Sequence, residues 1–152
     1  MRYRLTVAGV SLTLAAGFSV NSVAQPKPET LVQNRQSAMQ LQGKYLYPIV
    51  AMAKNRTPYD GAVVARNAGY LEVLLKMPWD DFQSSTQPVK SRALPAVFKE
   101  PEKFKAAQDE MLAEVSTFMT TVKGGDEAAI QAGILEMNDT CNRCHDTFRE
   151  KQ

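Results

Sequence analysis

The sequence predicts an all-α protein, folded as an antiparallel four-helix bundle. Apolar residues recur at helical spacing through four segments, and no segment shows the alternating pattern of a β-strand. Two of the links between these segments are short and one is long. Four amphipathic helices joined in this way pack most simply as an antiparallel bundle.

The first 24 residues have the composition of a secretory signal peptide. Arg2 and Arg4 precede a largely apolar run at 5–20, and small residues at 22–24 provide a cleavage site. Polar residues interrupt the run, and it is shorter than the roughly 20 apolar residues of a membrane span. We therefore expect export and cleavage, which leave residues 25–152 as one domain. An uncleaved membrane anchor is the alternative.

The first helix is predicted from Glu29 to about Lys54. Pro48 lies inside it and should kink it, because proline lacks the N–H that a helix interior requires. One inward stripe at i, i+3, i+4 spacing contains Leu31, Arg35, Ala38, Met39, Gln42, Leu46, Ile49 and Ala53.

The second helix is predicted to open with Thr57 as its N-cap and Pro58 at its first position, with Asp60 completing a turn like a capping box. Pro78 should end it. Its predicted inward residues are Val63, Asn67, Tyr70, Leu71 and Leu74.

Residues 77–100 contain three prolines among serines and threonines, which predicts a long connection with one short helical turn near 79–82. A third helix is predicted to start at Pro101 and to end at Gly124-Gly125. Its predicted inward residues are Phe104, Gln108, Met111, Val115, Phe118 and Val122.

The fourth helix is predicted from Asp126, a good N-cap, to about Glu150. The motif Cys141-Asn142-Arg143-Cys144-His145 lies on its inward face, because its predicted inward stripe consists of Ile130, Ile134, Met137, Cys141, Cys144 and Phe148. C-x-x-C-H is the attachment signature of a c-type haem, because two thiols can each add to a vinyl group while the adjacent imidazole reaches the iron. The sequence therefore predicts one covalent haem c at Cys141 and Cys144.

The counts of cysteine and histidine disfavour two other uses of the motif. The chain has two cysteines and one histidine, whereas a structural zinc site usually needs four such ligands. A redox dithiol of the thioredoxin type would lie in a βαβ unit, and no strand is predicted. A dithiol or a structural disulfide remains the main alternative.

Charge and motif content exclude several classes of function. Arg2 and Arg4 are the only charged residues of the signal segment, so the exported chain carries equal numbers of basic and acidic residues. Nucleic-acid binders and proteins that bind anionic membranes usually have a basic surplus, and we expect neither activity here. No nucleophile, acid pair or phosphate loop indicates an enzyme.

Helix geometry places Met39 in the same half of the bundle as His145. In an antiparallel bundle, the start of the first helix lies level with the end of the fourth. Met39 is about 15 Å into the first helix and His145 is about 7 Å from the end of the fourth, at 1.5 Å per residue. Both residues therefore belong to the same half of the bundle.

The exported chain resembles the cytochrome c′ superfamily, the class II c-type cytochromes. The resemblance rests on the C-terminal motif with Phe148-Arg149, the segment Arg35-Gln36-Ser37-Ala38-Met39, the start Pro58-Tyr59-Asp60 and the run Leu75-Lys76-Met77-Pro78-Trp79. It implies a periplasmic bundle, commonly a homodimer through the first two helices. It also implies His145 as an axial iron ligand and Arg35 beside the haem propionates.

The resemblance leaves two functions open. In low-spin members, a methionine at the position of Met39 ligates the iron, and the protein transfers single electrons to and from redox partner proteins. In high-spin members, the iron is five-coordinate and binds NO or CO. Because Met/His ligation is an established haem pattern, we expect Met39 to ligate and the protein to be an electron carrier. Gas binding is the alternative.

Overall fold

The computed structural model describes residues 25–151, and these residues form a helical bundle. Two single 3₁₀ turns, Trp79–Asp81 and Ser84–Thr86, lie between the second and third helices. The predicted all-α fold class is confirmed. The helices are α1 (Pro28–Ala53), α2 (Gly61–Leu74), α3 (Ala96–Lys99), α4 (Pro101–Gly124) and α5 (Glu127–Phe148).

The four long helices form a closed ring of neighbours, in which α1 contacts α2 and α5, and α4 contacts the same two helices. The Gln42 amide donates to the carbonyl of Leu74 at 2.8 Å, and the Asn67 amide donates to the carbonyl of Tyr45 at 2.9 Å. Later residues of α1 thus meet earlier residues of α2. The two helices therefore run antiparallel.

The core lies along the bundle axis and is built from all four long helices. Ile49, Ala68, Ile134 and Met137 have no accessible surface. Burial of a side chain as large as isoleucine stabilises the fold by about 1.5–3 kcal/mol. The inward stripes predicted for α1, α4 and α5 supply most of these core residues, although several members are only partly buried, Met39 and Phe104 among them.

The predicted start of α2 was wrong. The helix begins at Gly61, and its N-cap is Asp60, whose carboxylate accepts hydrogen bonds from the N–H groups of Ala62 and Val63. An N-cap carboxylate satisfies N–H groups that have no partner within the helix. Thr57 and Pro58 therefore belong to the preceding loop, not to the helix.

The inward face of α2 also differs from the prediction. Val64 and Ala68 are buried with Asn67 and Leu71, whereas Tyr70 is 47% exposed. The prediction was right for Asn67, but the buried stripe continues through Val64 and Ala68 and not through Tyr70. The later start of the helix does not explain this difference, because the predicted and the observed stripes both contain Asn67 and Leu71.

The long connection between α2 and α4 is tied to the C-terminal end of α5. The N–H of Leu94 donates to the carbonyl of Phe148 at 2.9 Å, and the N–H of Glu150 donates to the carbonyl of Arg92 at 2.8 Å. Ala93 and Arg149 thereby form an isolated antiparallel bridge. The tie holds the connection against the end of the helix that carries the cysteine motif.

The turn between α4 and α5 follows the predicted chemistry. Gly125 adopts φ of 77°, which favours glycine, and Asp126 accepts hydrogen bonds from the N–H groups of Ala128 and Ala129. α1 runs through Pro48 as one helix, and the kink expected there stays a prediction.

No helix within residues 25–151 has the length and apolar character that a membrane crossing requires. The predicted signal peptide at 1–24 lies outside the described residues.

Candidate functional site

A cleft of about 580 Å³ opens between α1, the long connection, α4 and the end of α5. Cofactor sites in proteins typically measure about 300–1,000 Å³, so the cleft has the size of a cofactor site. Four of the five predicted site residues line it: Arg35, Met39, Cys144 and His145. Its other lining residues are Gln36, Gln40, Gly43, Tyr47, Trp79, Phe82, Ser91, Arg92, Ala93, Val97, Phe104, Phe148 and Arg149.

The α5 wall presents His145 with its imidazole in the neutral form. Burial lowers the pKa of His145 to about 4, and the nearby charges of Arg149 and Arg92 lower it further in the same direction. A neutral imidazole has a free nitrogen lone pair, which is the form that ligates a metal. At neutral pH, His145 is therefore ready to act as a ligand.

The two cysteines differ in position, although both thiols are free. Cys144 lines the cleft, whereas the Sγ atom of Cys141 packs 3.6 Å from the Sδ atom of Met111 on α4. Burial is the main cause that raises the pKa of Cys141, to about 11, and it also raises the pKa of Cys144. Reactive redox cysteines have lowered pKa values, so this environment does not suit a redox dithiol.

The α1 wall carries residues that line the same cleft as His145. Arg35, Met39, Gly43 and Tyr47 are four residues apart, a spacing that stacks side chains along one face of a helix. His145 is the only histidine of the chain. Among the α1 residues that line the cleft, Met39 is the one whose side chain carries a sulfur atom that could ligate a soft metal.

Arg35 is buried at the end of this wall, with 3% of its surface exposed. Its Nη1 atom donates to the hydroxyl of Thr86 at 2.9 Å and to the carbonyl of Asp81 at 3.1 Å, and its Nη2 atom donates to the hydroxyl of Ser91 at 3.3 Å. Burial lowers the pKa of the guanidinium, and the charge of Asp81 opposes that effect. Arginine remains protonated under such conditions, so a positive charge faces the cleft.

Aromatic rings form the floor of the cleft. Phe104 of α4 lies 4.9 Å from Phe82 and 5.2 Å from Phe148, between ring centroids. The guanidinium of Arg35 lies over the ring of Phe82, 4.4 Å from its centroid. These contacts give the cleft an apolar interior below a polar rim, as in most cofactor sites.

The rim is cationic. Arg92 and Arg149 line it, Arg35 lies buried beneath it, and no Asp or Glu lines the cleft within the described part of the chain. This composition suits a cofactor with an apolar ring system and acidic side groups. The cleft therefore fits haem, whose propionates are anionic.

Sequence reasoning missed several residues of the cleft. Phe82 and Ser91 come from the long connection, and Arg92 reaches the rim because the bridge between Ala93 and Arg149 holds it there. No periodic pattern marks these residues. Tyr47 and Gly43 could have been found, because they continue the spacing of Arg35 and Met39 along α1.

A four-helix bundle that carries C-x-x-C-H beside an apolar cleft with a cationic rim has the features of a c-type cytochrome. The chain matches the family model described as cytochrome c′ over residues 30–149 and belongs to that family. The resemblance found in the sequence is confirmed.

Relatives match over nearly the whole described chain. Cytochrome c′ of Rubrivivax gelatinosus is 36% identical, and the match covers 82% of this chain and 98% of the relative. The crystal structure of cytochrome c′ from the same organism matches with a TM-score of 0.77 at 35% identity, again over 82% and 98% of the two chains. The nitric oxide complex of a mutant cytochrome c′ from Alcaligenes xylosoxidans matches with a TM-score of 0.75 at 28% identity, over 82% and 98%.

Family membership confirms the predicted cofactor. The chain is a haem protein of the cytochrome c′ family, with one covalently attached haem c. The alternatives of a structural disulfide or a redox dithiol are therefore not needed to explain the cysteines.

Proposed function

We propose that residues 25–152 form a haem domain in which Cys141 and Cys144 hold the cofactor and His145 is its axial ligand. The support is the cleft itself, because Cys144 and a neutral His145 line it together. Cys141 must turn its sulfur away from Met111 to take part. Arg35 is proposed to face the propionates, since it carries a buried charge with only neutral hydrogen-bond acceptors.

We propose that the protein binds a diatomic gas on the side of the cleft opposite His145. When bound, the haem supplies an iron centre that takes up a gas molecule or a single electron. Similar solved structures include a nitric oxide complex and a carbon monoxide complex of cytochrome c′ variants from Alcaligenes xylosoxidans. In this proposal, Met39 is an apolar wall of the gas site.

The second candidate is single-electron transfer with Met39 as the sixth ligand and redox proteins as partners. The observation that favours it is that Met39 of α1 and His145 of α5 line the same cleft. A methionine on the inward face of a helix usually fills space, but a thioether is also an established haem ligand. The two candidates therefore differ in the role of one sulfur atom.

Spectra of the purified holoprotein decide between them. For gas binding, we expect high-spin spectra in both oxidation states and uptake of CO by the ferrous form. Met39→Leu keeps the side-chain volume nearly constant and usually costs less than about 1.5 kcal/mol of stability. It should leave these spectra unchanged. Met77→Leu is the matched control, since Met77 is 54% exposed and lies outside the cleft.

Electron transfer predicts the opposite result. The wild type would be low-spin, with a weak sulfur-to-iron band in the far red, and it would not bind CO. Met39→Leu would then become high-spin and gain CO binding.

Covalent attachment is tested separately by mass spectrometry, because a mass equal to that of the bare polypeptide would contradict it. Replacement of Cys141 or Cys144 should make the haem easier to extract with acidified organic solvent.

We also propose that residues 1–24 direct export to the periplasm and are then removed. The periplasm is the compartment in which a c-type haem is attached. The proposed quaternary state is a homodimer through α1 and α2. Its support is a set of large apolar side chains exposed on α1, on α2 and just after α2, away from the cleft: Leu41, Tyr70, Val73 and Met77.

A further inference from the structure

We infer that Tyr47 controls the entry of small ligands into the cleft from the α1 side. The inference deepens the proposed gas-binding function and depends on it. It concerns the stripe Met39, Gly43 and Tyr47, whose members follow one another every four residues along one face of α1.

The ring of Tyr47 lies over Gly43. A Cβ atom built on Gly43 would lie 3.0 Å from Cε2 of Tyr47 and 3.3 Å from its Cζ atom. Carbon atoms in good contact are about 3.5–4.0 Å apart, so the ring occupies space that any larger residue at 43 would claim. Helical side chains lean toward the N-terminus, and the ring therefore leans toward Met39.

Tyr47 stands at the boundary between the cleft and the solvent. It lines the cleft, and yet 69% of its surface is exposed. Exposed side chains change rotamer within picoseconds to nanoseconds, so the ring can move aside without any movement of α1. The fraction of time that the ring spends over Gly43 then sets how often the cleft is open on this side.

The size of the effect follows from this fraction. A ring that covers the opening for about nine-tenths of the time lowers the competent population, and hence the entry rate, about tenfold. A single side chain can control the entry of a small ligand only. The proposed ligand class is thus a diatomic gas such as NO or CO.

The test measures CO association with the ferrous holoprotein by flash photolysis or stopped flow. Tyr47→Ala removes the ring, and Gly43→Ala displaces it with a methyl group. We expect Tyr47→Ala to raise the association rate about tenfold and Gly43→Ala to raise it by a smaller factor. Tyr70→Ala is the control, because Tyr70 is an exposed tyrosine on α2 that does not line the cleft.

Each variant is also made in a Met39→Ala background, in which the sixth position is open whatever Met39 does in the wild type. If the wild type fails to bind CO but the Met39→Ala series shows the expected increases, the gas-binding proposal fails and the role of Tyr47 stands. Equal association rates throughout the Met39→Ala series would overturn the role of Tyr47.

A stability measurement gives a readout that needs no gas. Residues in contact show coupling in a double-mutant cycle. We expect Gly43→Ala to raise the thermal midpoint more in the presence of Tyr47→Ala than alone, because the methyl group then meets no ring. Purely additive midpoints would contradict the placement of the ring over Gly43.

Discussion

Arg35 joins α1 to the long connection by hydrogen bonds to Thr86, Ser91 and the carbonyl of Asp81. Thr86 is itself fixed, since its hydroxyl donates to the carbonyl of Gln83 at 2.7 Å and only 1% of the residue is exposed. The guanidinium is thus held in one place. A charge fixed beside a redox centre stabilises its more negative state.

We predict that Arg35→Leu lowers the reduction potential of the haem, because the lost cation favoured the ferrous state. It should also weaken the fold by about 1–3 kcal/mol, since the buried partner Thr86 and the carbonyl of Asp81 lose their donor. Voltammetry on the holoprotein and urea unfolding measure the two effects.

Arg56→Leu is the matched control for this substitution, because Arg56 is an exposed arginine in the loop after α1. The control should change neither quantity measurably. An unchanged potential in Arg35→Leu would mean that the guanidinium does not face the haem.

The site residues differ in how well the sequence predicts them. Cys144 and His145 follow from the motif alone, because the attachment chemistry requires that spacing. Arg35 and Met39 follow from the stripe of α1 together with the family resemblance, and both line the cleft. Phe82 could not be predicted as part of the site, since tertiary packing of the connection brings it there.

At the scale of the helix, α5 depends on its N-cap. The carboxylate of Asp126 accepts the N–H of Ala128 at 3.0 Å. We predict that Asp126→Ala destabilises the protein by about 0.5–2 kcal/mol, the usual loss for an N-cap aspartate. Urea unfolding measures the change.

Asp139→Ala provides the comparison, because Asp139 is exposed in the interior of the same helix. Alanine is the better helix former there, so this variant should be as stable as the wild type or more so. Equal losses in the two variants would show that charge, and not the cap, is responsible.

Local signals predicted some elements better than others. α4 was placed correctly because Pro101 and Gly125 mark its two ends. The start of α2 was ambiguous, since both Thr57 and Asp60 are good caps and only the folded chain selects Asp60. The four-residue helix α3 was missed because so short an element has no detectable period.

At the scale of the molecule, α1 presents two different faces. At 100° per residue, Gly43 and Tyr47 face the cleft, whereas Leu41 lies about 160° from Gly43 on the far side of the helix. Leu41 is exposed, as are Val73 of α2 and Met77 just after α2. A dimer formed through this surface would therefore leave the cleft open to solvent.

We predict that Val73→Glu shifts the protein from dimer to monomer, because it puts a charge into an apolar interface. Light scattering after size exclusion measures the mass. Ser116→Glu, at an exposed position of α4, is the control and should leave the mass unchanged. A monomeric wild type would contradict the proposed dimer.

The tie between the connection and the C-terminus has a consequence for biogenesis. Arg92 and Glu150 lie 58 positions apart in the sequence, and they meet beside the C-terminal end of α5. Such non-local contacts form late in folding, because a long loop must close before they can contribute. In a chain that folds after export, α1, α2 and α4 can therefore form before the tie closes. We expect the cleft to be completed last, so that the cysteine motif beside it is still open when the haem is attached.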